Sequence, residues 1–219
     1  MKRIGSKLSR PFKAVKQLPF LYLITNRKLC HPKPLEEVVF KALDAGIRFV
    51  QLREKDLNSV ELYNLAKKIK ALTNKYKAYL LINDRIDIAL AIDAEGVHLP
   101  EGSLPVAKVR ELLGVDKILG KSTHYPITLN KKEYAHLDFV SLSPVFNTKG
   151  KNYKCKPIGI DSLKKIVSTI PVPVYGLGGI NPGHLNDLKS SGASGIAISN
   201  GIMTTSYIKK TVKEYLDET

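Results

Sequence analysis

Short apolar runs alternate with amphipathic stretches along almost the whole chain. The apolar runs fall at 20–25, 49–52, 79–82, 96–99, 118–120, 139–143, 173–175 and 195–199. Between them, apolar residues recur at helical spacing over 35–45, 59–77, 86–94, 106–113 and 161–169; a Pro-marked helix then runs to Gly192, and a last one covers 206–216. Only 129–136 is poorly patterned. Asn58 or Ser59 offers an N-cap for the second helix, and Gly46 and Gly114 close the first and fourth. Strands that are apolar on both faces suit a parallel sheet covered by helices. Eight such units in 219 residues predict an α/β fold, a single (β/α)8 TIM barrel over 19–219. The alternative is an open doubly wound sheet. That fold wants a GxGxxG turn after its first strand, and here the turn is Thr25, Asn26, Arg27 and Lys28.

Composition narrows the partners more than the fold. Hydrophobic content of 43% and charged content of 25% are ordinary for a globular domain, and no apolar run is long enough for a membrane span. The formal charge of +15 is concentrated in part at residues 1–18, where Lys2, Arg3, Lys7, Arg10, Lys13 and Lys16 stand without an acid. This segment lacks the apolar core of a secretory signal and reads as a mobile basic extension. Lysines such as Lys67, Lys68, Lys70, Lys209, Lys210 and Lys213 fall on solvated helix faces. No nucleic-acid motif or aromatic stacking platform accompanies the charge, which argues against specific nucleic-acid binding; an anionic small molecule explains it equally well. Cys30 and Cys155 have no metal or redox spacing and read as free thiols in a reducing cytoplasm. The histidines form no cluster with zinc-ligand spacing.

In a barrel of this kind, function sits where the strands end. The last two units, 173–202, have glycine-rich mouths: Gly176, Gly178 and Gly179 after one strand, Ser199, Asn200 and Gly201 after the next. Glycines let backbone N–H groups approach an anion, a following helix start adds positive character, and the loops after strands 7 and 8 commonly hold a substrate phosphate. Tight turns alone would also explain these glycines. The other predicted strand ends carry Arg53, Glu54 and Lys55; Asn83, Asp84 and Arg85; His98, Glu101 and Ser103; Ser122, Thr123 and His124; and Thr148, Lys149 and Lys151. Cations from three loops, an Asn-Asp pair able to hold Mg2+ through carboxylate oxygen and a histidine suit a phosphate or diphosphate substrate.

QLREK (51–55), INDR (82–85), EGVHL (95–99), GKSTH (120–124), SPVFNTKGK (143–151) and GLGGI (176–180), in this order and spacing, resemble the thiamin phosphate synthase and TenI family. The resemblance extends over 20–215 and implies one TIM barrel that joins, or prepares, the thiazole phosphate half of thiamin. In the synthase branch, diphosphate leaves a pyrimidine methyl diphosphate through a carbocation-like species and the thiazole nitrogen attacks. The resemblance there implies that Gln51, Arg53, Lys55, Asn83 and Lys151 hold diphosphate, that Asp84 binds Mg2+, and that Ser122 and Thr148 contact ligand. Neutralisation by metal and cations is what lets diphosphate leave. In the TenI branch, a thiazole tautomerase moves a proton to aromatise a thiazole carboxylate phosphate. That reaction implies no cofactor, only an acid/base group, and His124 is the match.

Several positions bear on the choice. Where synthases carry a second metal-binding Asp, this chain has Ser103, a weak ligand beside a carboxylate. Glu101, two residues away, is a candidate substitute. The peptide LPEGS (99–103) is similar to the TenI version, Gly150 replaces a threonine of the synthase loop, and Asn26 replaces an Asp. Against this, Gln51 and Lys55 retain the diphosphate-binding loop. Structural readings compete at some positions. Asp84 and Arg85 could cap the third helix, His98 reads as a packed interior residue, and of the lysines at 149–156 only Lys151 is in register with a diphosphate ligand. The reading favoured by these residues is a cytoplasmic tautomerase. It uses His124 as acid/base, the Gly178–Gly179 and Ser199–Gly201 backbones as phosphate cradle, and Arg53 and Asn83 to orient substrate. The alternatives are the Mg2+-dependent synthase, with thiazole phosphate and pyrimidine diphosphate as partners, and a non-catalytic ligand-binding protein. A homo-oligomer is compatible with all three.

Overall fold

The computed structural model describes residues 17–148 and 156–217. The expected basic extension up to position 16, together with Lys149, Gly150, Lys151 and Cys155, lies outside the described residues. The elements run β1 (Leu21–Ile24), α1 (Leu35–Asp44), β2 (Phe49–Leu52), α2 (Ser59–Lys75), β3 (Tyr79–Asn83), α3 (Ile86–Ala91), β4 (Gly96–Leu99), α4 (Val106–Leu113) and β5 (Ile118–Thr123). They continue with α5 (Lys131–Tyr134), β6 (Phe139–Leu142), α6 (Gly159–Val167), β7 (Val174–Leu177), α7 (Leu185–Ser190), β8 (Gly195–Ile198), α8 (Asn200–Met203) and α9 (Ile208–Asp217). The strands pair in parallel and in chain order, and β8 closes on β1 through Tyr22 opposite Ala197. The closed (β/α)8 barrel excludes the open sheet. Among the described residues no helix is long and apolar enough to cross a membrane.

The element boundaries differ from expectation where local chemistry outweighs hydrophobic period. β5 runs on beyond 120 to Thr123, because Ser122 pairs with Ser141 and Thr123 with Leu142 in the ladder with β6. Segment 129–136 holds a helix after all: Asn130 and Glu133 form a reciprocal capping box around Lys131–Tyr134. The same device, Asn58 with Glu61, starts α2. α3 stops at Ala91 rather than 94; Asp93 takes a positive φ of 51° and Ala94 N–H donates to the Ala89 carbonyl.

Strand alternation divides the core in two. Leu21 and Leu23 face outward into the large cluster between sheet and helices, while Tyr22 and Ile24 face the axis. With Phe49, Leu81, Ile118, Phe139, Tyr175 and Ala197 they fill the barrel interior. Gly120 makes room for this filling: a Cβ there would come within 2.3 Å of the Phe139 ring and 2.9 Å of His98 Nδ1. Leu18 packs against the inner cluster and Tyr175 Oη donates to the Pro19 carbonyl at 2.8 Å, so barrel packing begins before β1.

Two buried charges fasten the connections. Arg110 on α4 is 6% exposed, donates to the carbonyls of Gly114, Lys117 and His136, and meets Asp138 at 2.6 Å. Glu54 accepts from Thr25 Oγ1 at 2.6 Å and from the Arg27 N–H at 3.0 and 3.1 Å, tying the loop after β1 to the loop after β2. Glu54 therefore serves the loops rather than the barrel mouth. Its burial raises the carboxyl pKa, a shift opposed by these hydrogen bonds.

Candidate active site

Above the aromatic layer the interior turns polar. Tyr22 stacks on Phe49 with ring centroids 4.0 Å apart and meets Phe139 and Tyr175 edge-on. Its hydroxyl accepts from Gln51 Nε2 at 2.9 Å and lies 3.4 Å from His98 Nδ1. His98 Nε2 is 2.9 Å from Ser122 Oγ and 3.3 Å from Ser141 Oγ. Burial pushes the imidazole pKa down to about 3, helped by the charges of Arg53 and Lys121, so the ring is neutral. Gln51, Tyr22, His98, Ser122 and Ser141 form one hydrogen-bonded floor. Gln51, expected on a diphosphate, is buried and committed to Tyr22 in this structure.

At the rim above the floor, the strand ends set out the charged groups. Arg53 is half-buried, with its N–H donating to Thr25 Oγ1 at 3.0 Å. Its charge is felt at His98. Lys55 is exposed in the same loop. Asn83 ends β3 opposite His98 in the ladder. Asp84 follows at φ 64°, held by its N–H to the His98 carbonyl at 3.0 Å. It does not cap α3, and Arg85 turns away to Asp87 and Ser59. The exposed Asp84 carboxylate accepts from Ser103 Oγ, so the two positions expected to share a metal do meet. Glu101 does not join them: its carboxylate is 3.0 Å from His124 Nδ1.

The glycine-rich mouths lie after β7 and β8. Gly178 and Gly179 have φ of 98° and 67°, which only glycine adopts without strain. A Cβ on Gly179 would come within 2.4 Å of the Asn147 carbonyl oxygen, and one on Gly178 would meet Pro144 at 2.9 Å. The β6 and β7 loops are thus pressed together, with Phe146 N–H donating to Gly178 O at 3.0 Å and the Thr148 methyl near Gly178. Ser199 is half-buried, and Asn200 and Gly201 are exposed. Tyr215 from α9 donates to the Ile180 carbonyl at 3.1 Å, and its hydroxyl would meet a Cβ on Gly201 at 2.9 Å. It bridges both mouths, a role with no local signal in the sequence. Strand parity could have placed Tyr22 and His98 inside together, but not their bond.

Arg53, Lys55, the Asp84 and Glu101 carboxylates and the glycine loops thus gather at the C-terminal rim of a closed barrel, the end where TIM-barrel enzymes carry their active sites. A family model described as thiamine monophosphate synthase matches residues 21–202. The chain belongs to the thiamin phosphate synthase and TenI family. It is 38% identical over 197 residues to a thiamine-phosphate synthase of Clostridium acetobutylicum, covering 90% of this chain and 93% of that one. It is 40% identical over 197 residues to the thiamine-phosphate synthase of Ruminiclostridium cellulolyticum, again covering 90% and 93%. The solved thiamine phosphate pyrophosphorylase of Pyrococcus furiosus superposes with a TM-score of 0.79 at 30% identity, covering 94% of this chain and 97% of that one. These relatives favour the synthase alternative over the tautomerase reading of the sequence.

Proposed function

We propose that this chain is a thiamine-phosphate synthase, joining a pyrimidine methyl diphosphate to thiazole phosphate with release of diphosphate. What carries the reading is its 38–40% identity, over nine-tenths of its length, to proteins of that name. The rim agrees chemically. Arg53 and Lys55, with Lys151 from the loop after β6, would neutralise the leaving diphosphate. The Gly178–Gly179 and Ser199–Gly201 backbones would donate to the thiazole phosphate, and Asn83, Ser122 and Thr148 would orient the two rings. Gln51 would act from the floor, through Tyr22 and His98, unless substrate draws its amide away.

The synthase reaction implies Mg2+. Among the described residues no group of three His, Cys, Asp or Glu side chains could hold a metal ion. Mg2+ is nevertheless commonly held by one or two carboxylates together with substrate phosphates, and the exposed Asp84 carboxylate beside the Ser103 hydroxyl fits that arrangement. Asp84 would hold the ion, with Ser103 as a neutral neighbour. When bound, Mg2+ supplies positive charge to the departing diphosphate. The test is direct: purified protein with both substrates and Mg2+ should form thiamin phosphate, and Arg53→Ala should lower kcat/KM by about two orders of magnitude. Absence of product from protein that binds thiazole phosphate would overturn the reading.

A second reading, the metal-independent thiazole tautomerase, is favoured by one observation: the second acidic metal position is a serine bonded to Asp84, while His124 and Glu101 pair beside it.

A further inference from the structure

The pairing of His124 with Glu101 joins two loops, and both ends are anchored. His124 immediately follows Thr123, the last residue of β5. Glu101 lies just beyond β4, and its backbone is gripped from below by Lys121. That ammonium group, on a side chain 6% exposed, lies 3.3 Å from the Glu101 carbonyl and 3.5 Å from the Pro100 carbonyl. Leu99 and Lys121 are partners in the β4–β5 ladder, so strand register fixes the spacing. The two side chains are partly exposed, 29% and 45%, and such a pair adds little to stability. Its consequence is orientational instead. An ionised carboxylate only accepts, so a neutral imidazole facing it must carry its hydrogen on Nδ1 and leave the Nε2 lone pair free.

The geometry points to Glu101 as a positioning residue that holds His124 in the Nδ1–H tautomer, so that Nε2 takes and returns a proton at the barrel mouth. The step balances without a co-reactant. A substrate C–H bond breaks with its electron pair left on the substrate, an Nε2–H bond forms, and the same proton is returned to another substrate atom. The catalytic consequence rests on the second reading above, whereas the tautomer assignment rests on geometry alone.

The experiment is 15N NMR of the full chain labelled at histidine, with the His124 signals assigned by His124→Asn. At a pH where the ring is neutral, Nδ1 should show the protonated nitrogen shift to a greater extent than free imidazole does. Glu101→Ala should lower the Nδ1–H fraction by about threefold, and Glu101→Gln, whose amide donates as readily as it accepts, should also leave it below the wild type. A His124 ring with the tautomer balance of free imidazole, or one unmoved by Glu101→Ala, overturns the inference whatever the enzyme's activity. In a thiazole tautomer assay, Glu101→Ala should lower kcat with KM unchanged; a raised KM at constant kcat would make Glu101 a binding residue instead. Wild-type protein without tautomerase turnover would sink the catalytic part alone, leaving the synthase reading untouched.

Discussion

Ser103 Oγ donates a 2.5 Å hydrogen bond to Asp84 Oδ1, linking the loop after β4 to the end of β3. The family resemblance leads one to expect two carboxylates at these positions, and here only Asp84 is one. Ser103→Asp should raise Mg2+ affinity on the order of tenfold, because ligand charge sets the affinity of such sites. Without metal, the two adjacent carboxylates should repel and lower the melting temperature, and Mg2+ should restore it. Calorimetric titration and thermal melts with and without Mg2+ check both; unchanged affinity would remove Asp84 as the ligand.

His98 offers a test by pH. Its folded pKa is pushed down to about 3, against about 6.5 for an ordinary histidine. The contribution to stability is therefore complete above 6.5 and is lost as pH falls from there toward 3, since the unfolded chain takes up a proton that the folded one refuses. The slope is about 1.4 kcal/mol per pH unit. Urea denaturation at pH 6 and pH 5 should show the wild type losing roughly that much more stability than His98→Gln. Equal losses would mean that the ring is protonated in place.

Gly179 tests the phosphate cradle. At φ 67°, with backbone oxygen 2.4 Å from where a Cβ would sit, Gly179→Ala should cost about 1–3 kcal/mol of stability. It should also raise KM for thiazole phosphate, because the β6 and β7 loops must part. A variant with unchanged melting temperature and KM would show that the close approach is not needed.

Arg110 tests the lower fastening. Truncation to Ala leaves three carbonyls without the guanidinium that now satisfies them and removes the ion pair with Asp138, which keeps the Leu119 N–H. The expected loss is about 1–3 kcal/mol, the cost of leaving buried carbonyls unsatisfied, read from denaturant midpoints. Substrate KM, measured where the variant remains folded, should not change, since Arg110 serves the α4 connections rather than the rim.

Much of this architecture was legible from residue order. The strands announce themselves as apolar runs, and six motifs place polar residues at or near their C-terminal ends. The assignment of partners was not legible. Glu54 stands between Arg53 and Lys55 in the QLREK motif, yet it turns to Thr25 and Arg27 and leaves the rim. Gln51 points to the axis and binds Tyr22, 29 residues earlier. Glu101, suggested as a replacement metal ligand by its place near Ser103, meets His124 instead. Segment 129–136 is poorly patterned because its helix α5 has only four residues, too few to show a period, while its capping box lies in polar residues.

By itself, then, the amino-acid order determined the alternating units, the inward and outward faces of each strand and the loops on which cations collect. These follow from local periodicity, and each unit must bury its apolar face against the next. Only the closed barrel decided which polar groups meet: Ser103 with Asp84 across 19 residues, Glu101 with His124 across 23, and Tyr215 with Ile180 across 35. Such contacts depend on strand register and on loops from neighbouring strand ends. Side-chain direction there is set by packing around the ring, which no window along the chain contains.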